Sequence, residues 1–220
     1  MQFADELEKA DSFEAALSKL IRRELAAHRR ILFNGNGYSE EWPREAARRG
    51  LLNLRSTPEA LIHYTDEKNV ALFARHGVYT RTEIQSRQDI NMEEYAKIIH
   101  IEALTLIDML GKLIVPACAA YSRQLAEGVA AKAGIGVDAP AEAAQVRLLT
   151  EKTAELIERT ERLKAVVAAE PEALNARAMY EHEAVIPAME AARQVADELE
   201  GRVGKEYWPI PSYADLLFYV

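Results

Sequence analysis

Histidine and carboxylate side chains are the first groups to consider for chemistry, because together they bind transition metals in helical proteins. A di-iron helical bundle requires a Glu three residues before a His on the same helix. The five histidines are instead preceded at that distance by Leu25, Ala60, Phe73, Lys97 and Met179. No two histidines are four residues apart, which is the spacing of zinc proteases. Local spacing therefore predicts no metal site.

One short segment, Glu181-His182-Glu183, contains three potential metal ligands in a row. Consecutive residues of a helix point in different directions, so these three side chains do not converge on one ion. His182 falls on the apolar seam predicted for its helix. We therefore interpret it as a structural residue.

The sequence also contains no recognised motif of a phosphate-binding site or of a nucleophilic catalytic site. Residues 34–37, Asn-Gly-Asn-Gly, match neither a phosphate-binding loop nor a dinucleotide fingerprint. Because Asn and Gly tolerate positive φ, these residues predict a turn, and a ligand contact made by that turn is the alternative. Cys118 lies in an apolar stretch without a basic partner, which predicts a buried thiol. We predict no catalytic, cofactor-binding or metal-binding residue in this chain.

The charge balance excludes several classes of partner. Asp and Glu number 35 against 27 Lys and Arg, a net charge of −8, which repels nucleic acid. A single cysteine suits a reducing compartment, and the acids Asp5, Glu6 and Glu8 stand where a signal peptide has basic residues. No apolar run approaches the ~18 residues of a membrane span. We expect a cytoplasmic protein that binds neither membrane nor nucleic acid.

The composition favours an all-α fold, with 49% hydrophobic residues and only 10 Gly and 8 Pro. Several short helices precede residue 80, with N-caps predicted at Asp11 or Ser12 and at Ser39. Residues 80–83, Thr-Arg-Thr-Glu, form a capping box. A long helix should follow over about residues 83–127, kinked at Pro116, before a loop over 128–140.

Two later helices, over about residues 141–170 and 171–203, show a seven-residue repeat of apolar side chains. A short Glu-Pro joint between them predicts an antiparallel helical hairpin, with the long helix as a third member of the bundle. The repeating positions are Leu149, Leu156, Leu163, Ala178, Val185, Ala192 and Leu199.

The two ends of the chain differ from this pattern. The first turns are apolar at Phe3, Leu7 and Ala10 without a preceding cap, which fits either a frayed start or a helix continued from an upstream domain. The tail, residues 206–220, contains two prolines and dense aromatic side chains, so we expect it to be irregular and to dock on a surface. That surface is either its own domain or a neighbour. The predicted interface residues are Trp208, Tyr213, Phe218 and Tyr219.

Several segments together resemble the C-terminal portion of type III glutamine synthetases, and the resemblance covers nearly the whole chain. The two most specific segments are Asn34-Gly35-Asn36-Gly37-Tyr38-Ser39 and Trp208-Pro209-Ile210-Pro211. The resemblance implies a parent enzyme that joins glutamate and ammonia, using ATP with Mg²⁺ or Mn²⁺. Its catalytic strands lie upstream and their motifs are absent here, so no catalytic residue is transferred to this chain.

The resemblance also implies an assembly role. The family forms double-ring oligomers, so the expected partners are the upstream catalytic domain and neighbouring subunits of a homo-oligomer. Residues 34–38 and Arg87 would pack beside the catalytic domain. We divide the chain into residues 1–80, the end of the catalytic region, 81–205, the helical bundle, and 206–220, the tail. The alternative is a free-standing helical protein-interaction module.

Overall fold

A computed structural model describes residues 2–211 and 213–217 in two compact units, Met1–Arg55 and Ser56–Val220. Within these residues every regular element is helical and there is no β-strand, which confirms the predicted all-α class. None of the helices in the described part of the chain combines the length and the apolar character needed to cross a membrane.

The described residues of the first unit, 2–55, form the α-helices α1 (Gln2–Glu8), α2 (Phe13–Ala27) and α3 (Glu41–Arg48) and a 3-10 turn at Arg29–Ile31. Ser12 caps α2 as predicted, because its side chain accepts a hydrogen bond from the Ala15 N–H. The cap predicted at Ser39 is wrong. The Ser39 hydroxyl donates to the Asn36 carbonyl, and Glu40 occupies the N-cap position of α3 without a side-chain bond.

In the described residues of the second unit, 56–211 and 213–217, there are eight α-helices. Two π-helical turns, Leu110–Ile114 and Glu181–Val185, interrupt them. The α-helices are α4 (Thr57–Leu61), α5 (Glu67–Arg75), α6 (Arg81–Met109), α7 (Val115–Gly134), α8 (Pro140–Ala168), α9 (Leu174–Tyr180), α10 (Ile186–Glu200) and α11 (Tyr213–Leu217).

The long helix begins and breaks where the sequence indicates, but it ends later. Thr80 and Glu83 form the predicted capping box at the start of α6. The loop predicted from residue 128 is wrong up to residue 134, because α7 continues through Gly128 to Gly134. One Gly costs only about 1 kcal/mol in an Ala-rich helix, and α7 recovers this by packing along α8. The chain turns instead at Gly136, whose φ is +77°.

Each π-helical turn ends two residues before a proline. The break predicted at Pro116 takes the form of the π turn Leu110–Ile114, and a second π turn, Glu181–Val185, precedes Pro187. Proline lacks an N–H and its ring collides with the carbonyl four residues earlier. A wider turn separates that carbonyl from the ring, so the helix continues past the proline instead of ending.

The core confirms the predicted hairpin. All seven repeating positions of α8, α9, the second π turn and α10 are 0% exposed. Leu149 and Leu156 of α8 share one cluster with Leu199 of α10 and with Leu110 and Cys118 of the long helix. The long helix therefore supplies the third member of the bundle, as the sequence indicates.

Replacing Leu156 with Ala is expected to destabilise the chain by about 2–5 kcal/mol, because it removes a fully buried side chain from the main apolar cluster. Urea unfolding followed by circular dichroism measures the change. The control is Ile157→Ala at the next position, 46% exposed, where a loss within about 0.5 kcal/mol is expected of a surface site. Equal losses in the two variants would contradict the assigned packing.

Candidate functional site

The first part of the tail docks on its own unit. Tyr207, Trp208 and Ile210 are partly buried and pack against the apolar cluster formed by α7, α8 and α10. The Trp208 indole N–H is buried and has no acceptor in the described structure. Of the two surfaces predicted for tail docking, the chain's own helices are therefore the one that Trp208 contacts.

The later tail differs from the predicted irregular structure, because residues 213–217 form the short helix α11. Pro209 and Pro211 precede this helix and so do not oppose it. Leu216 and Leu217 are 67% and 71% exposed. Tyr213 lies on α11, and the predicted interface residues Phe218 and Tyr219 lie outside the described residues. Their role at an interface remains a prediction.

Residues 34–38 form the predicted turn, although by another mechanism. The Asn36 side chain accepts a hydrogen bond from the Tyr38 N–H, and neither Gly35 nor Gly37 takes a positive φ. A Cβ at Gly35 would lie 2.4 Å from Cζ of the Phe33 ring, so a larger residue there would require this ring to move. Tyr38 is fully exposed at the end of the turn.

Arg87, the second element predicted to lie beside the catalytic domain, is held by an aromatic ring. Its guanidinium carbon lies 4.5 Å from the centre of the Tyr79 ring, a cation–π contact. Together with Tyr64, Phe73 and Asn91 it lines a cavity of about 120 Å³. Neither Arg87 nor residues 34–38 has an assigned ligand, so their contribution to an active site remains a prediction.

A cluster of titratable side chains lies where the joint between α8 and α9 meets α6. We call it the His100 cluster: His100 on α6, Glu170 just after α8, Arg177 on α9 and Glu181 at the start of the second π turn. The turn from α8 into α9 brings Glu170 against α6. Arg177 on α9 and Glu181, four residues later in the second π turn, lie on one side of the helix. That side faces Glu170 and His100.

Glu170 is the hydrogen-bonding centre of the His100 cluster. Its Oε1 lies 2.6 Å from His100 Nδ1, and its Oε2 lies 2.7 Å from Nη2 of Arg177. The Glu170 side chain is 9% exposed, while those of His100 and Arg177 are 30% and 34% exposed. The cluster is therefore buried on the carboxylate side and open to solvent on the side of the two basic groups.

Glu181 is the unusual member of the cluster. It is 0% exposed, and no donor reaches either of its carboxylate oxygens in the described structure, although a protonated Glu181 can donate a hydrogen bond to Glu170. One ligand atom of Glu181, one of Glu170 and one of His100 all lie within 4.8 Å of one another. A buried carboxylate without a donor is costly, so this position requires either neutralisation or a cation.

Burial raises the pKa of Glu181 to about 7, and the neighbouring Glu170 carboxylate adds to the rise. His100 and Arg177 act in the opposite direction and lower this pKa, by less than the first two effects raise it. The pKa of Tyr95 on α6 is also raised, first by burial and then by the nearby Glu181 charge. The cluster therefore contains a carboxyl group that changes charge near neutral pH.

Local sequence patterns did not reveal this cluster, because its members are 70 and 11 residues apart. The di-iron spacing pairs a histidine with a Glu three positions before it, and at His100 that residue is Lys97. One signal was available. Glu181 lies three residues after Ala178 and four before Val185, on the apolar face of its helix, where a carboxylate is unexpected. Its neighbours differ, since His182 is half-buried and Glu183 is exposed.

Cys118, the remaining candidate for chemistry, is a core residue. It is 0% exposed within the main apolar cluster, and burial raises the pKa of its thiol. A buried thiol of raised pKa is neither a nucleophile nor a ready metal ligand. The prediction of a buried thiol at Cys118 is confirmed.

Glu181→Gln is expected to stabilise the chain relative to wild type at pH 8 and to change its stability little at pH 5. The folded-state pKa of Glu181, about 7, lies above its ordinary value of 4.5. Between pH 4.5 and pH 7 the folded state therefore holds a proton that the unfolded state has lost. Wild-type stability therefore falls as pH rises through this window, and Gln removes that dependence. Urea unfolding in EDTA at both pH values measures it.

The matched control for this pH dependence is Glu183→Gln, two residues away and exposed. It should follow the wild-type pH profile of stability. Parallel profiles for wild type and Glu181→Gln would contradict the raised pKa.

Comparison with known proteins assigns this chain to a protein family. A family model described as glutamine synthetase C-terminal domain matches residues 16–133. A type-3 glutamine synthetase of Dictyostelium discoideum is 36% identical over 218 residues, covering 96% of this chain. Glutamine synthetases of Butyrivibrio fibrisolvens and Bacteroides fragilis (strain YCH46) are 34% and 32% identical, over 94% and 96% of the chain.

The match with these relatives is partial on their side. The chain spans about 30% of the length of each of these three curated relatives. The family match covers α2 to most of α7, which includes the turn at residues 34–38, Arg87 and His100. The predicted resemblance to the C-terminal portion of a type III glutamine synthetase is confirmed, and the chain belongs to the glutamine synthetase C-terminal domain family.

Proposed function

We propose that this chain is the helical C-terminal part of a larger, cytoplasmic type III glutamine synthetase and serves its packing and assembly. The parent enzyme would join glutamate and ammonia at the expense of ATP, with Mg²⁺ or Mn²⁺ bound in a catalytic region outside these residues. The match to about 30% of each relative's length supports this proposal. So does the absence of a matched catalytic motif in the sequence.

An exposed apolar face on α6 is the observation on which the assembly role depends. Ile90, Ile98, Ile101 and Leu104 are between 47% and 60% exposed. At 100° per residue they fall within an arc of about 120° on one side of the helix. Contiguous exposed apolar residues of this kind mark a surface that contacts another protein.

The opposite side of α6 shows that this exposure is not a general property of the helix. Met92, Ala96 and Ala103 are between 0% and 2% exposed, and they pack against α4, α9 and the rest of the bundle. Glu94 and Lys97 lie within the same arc, between Ile90 and Ile98, and form the charged border of the contiguous apolar patch made by Ile98, Ile101 and Leu104. An apolar centre with a charged border is the usual composition of an interface between subunits or domains.

The occupant that we propose for this face is the parent enzyme itself, either its catalytic region or a neighbouring subunit. Both belong to the homo-oligomer that the family resemblance implies. A free-standing interaction module, the alternative function, would use the same face for an unrelated protein. The two possibilities differ in whether disrupting the face affects glutamine synthetase assembly.

Ile101→Glu is expected to weaken the assembled parent enzyme, because it places a charge in the centre of the exposed apolar face. Sedimentation velocity should show smaller species at low protein concentration. Ile157→Glu on α8, a similarly exposed isoleucine outside this face, is the matched control and should leave the distribution unchanged. An unchanged distribution, together with an unchanged urea midpoint of the parent enzyme, in Ile101→Glu would contradict both proposed occupants of this face.

The purified 220-residue chain is expected to form no glutamine from glutamate, ammonia and ATP, because the proposal places every catalytic group outside it. Release of phosphate and formation of glutamine are the measurements, with full-length enzyme as the positive control. A rate of glutamine formation above that of a reaction mixture lacking protein would overturn the proposed non-catalytic role.

A further inference from the structure

We propose that His100, Glu170 and Glu181 bind a divalent transition-metal ion of the Zn²⁺ type, at the joint that connects α8 to α9. This site is separate from the metal chemistry that the family resemblance implies, since that chemistry belongs to the catalytic region. The inference therefore does not depend on the proposed assembly role. It depends on the arrangement of three donor groups from three separate segments of the second unit.

The donor set has the chemistry of a zinc site. One imidazole nitrogen and two carboxylate oxygens are ordinary Zn²⁺ ligands, and three protein ligands with one open position form a common arrangement. Bonds of about 2.0–2.2 Å place tetrahedral donors about 3.4 Å apart. The His100–Glu170 contact of 2.6 Å and the outer limit of 4.8 Å lie on either side of that separation. Side-chain rotations that move each donor atom by about 1 Å would bring the donors to the tetrahedral separation.

Glu181 provides an independent indication that a ligand belongs here. It is fully buried, no donor reaches its two oxygens, and it faces the other two ligand groups. The cluster otherwise places two carboxylates beside one another with a single permanent cation, Arg177. A divalent ion would reverse this negative balance and satisfy the Glu181 oxygens in one step.

Arg177 would orient one of the metal ligands. It binds Oε2 of Glu170 at 2.7 Å, which leaves Oε1 as the oxygen directed towards His100. A hydrogen-bond donor behind a ligating carboxylate fixes its orientation and tunes its affinity for the ion. The partial exposure of His100 and Arg177 also provides a route from solvent to the buried carboxylates.

Protons compete with the metal at this site. Carboxylate and imidazole ligands bind the ion in their deprotonated forms. Binding should therefore release protons and become tighter as pH rises from 6 to 8. When bound, the ion would tie α6 to the α8–α9 joint and would stabilise the folded chain by mass action.

Isothermal titration calorimetry with zinc chloride tests the proposal. The 220-residue chain is first freed of metals by EDTA and dialysis. We expect one Zn²⁺ per chain at pH 8, with proton release and weaker binding at pH 6. His100→Ala and Glu181→Gln should each weaken binding at least tenfold. The controls, His182→Ala and Glu183→Gln, change the same residue types beside the site and should bind Zn²⁺ as wild type does.

Cobalt substitution gives a second measurement that does not require a variant to fold. Co²⁺ in a four-coordinate site with one nitrogen donor should produce visible absorption bands in the wild-type chain, and added Zn²⁺ should abolish them. Equal Zn²⁺ affinity in wild type and Glu181→Gln would overturn the proposal. So would the absence of Zn²⁺ binding at pH 8, where the carboxylate ligands face the least competition from protons.

Discussion

The antiparallel packing of α8 against α10 is the contact on which the second unit depends. Leu149, Leu156 and Leu163 present one buried row, and Ala192 and Leu199 lie opposite. Leucines facing smaller side chains allow the two helices to approach closely, and the heptad spacing keeps the rows in register over their whole length. The long helix formed by α6 and α7 then packs against this pair and completes the core.

This packing also determines where polar chemistry can occur. At the closed end of the hairpin the chain places His100, Glu170, Arg177 and Glu181 beside one another. A carboxylate would not remain in such a position without the leucine rows, because its burial opposes folding. The main apolar cluster therefore supplies the free energy that holds Glu181 out of water, in a place where its charge depends on pH.

The outward side of the same unit carries an exposed apolar face on α6. The helix α6 buries Met92 and Ala96 on one side and exposes a row of isoleucines on the other. Such a helix is stable only because its inner face packs against the hairpin, and its outer face remains available to a neighbour. The family match and the partial coverage of its relatives make that neighbour a part of the glutamine synthetase assembly in our proposal.

The sequence alone determined the helical class, the hairpin, the capping box at Thr80 and the burial of Cys118, because each depends on residue types at short, fixed spacing. It did not determine how far α7 extends or that Glu40, rather than Ser39, precedes α3, since packing outweighs local preference at helix ends. Only the tertiary structure brought together His100, Glu170 and Glu181. Their proximity follows from helix packing across 70 residues of chain, which local spacing does not record.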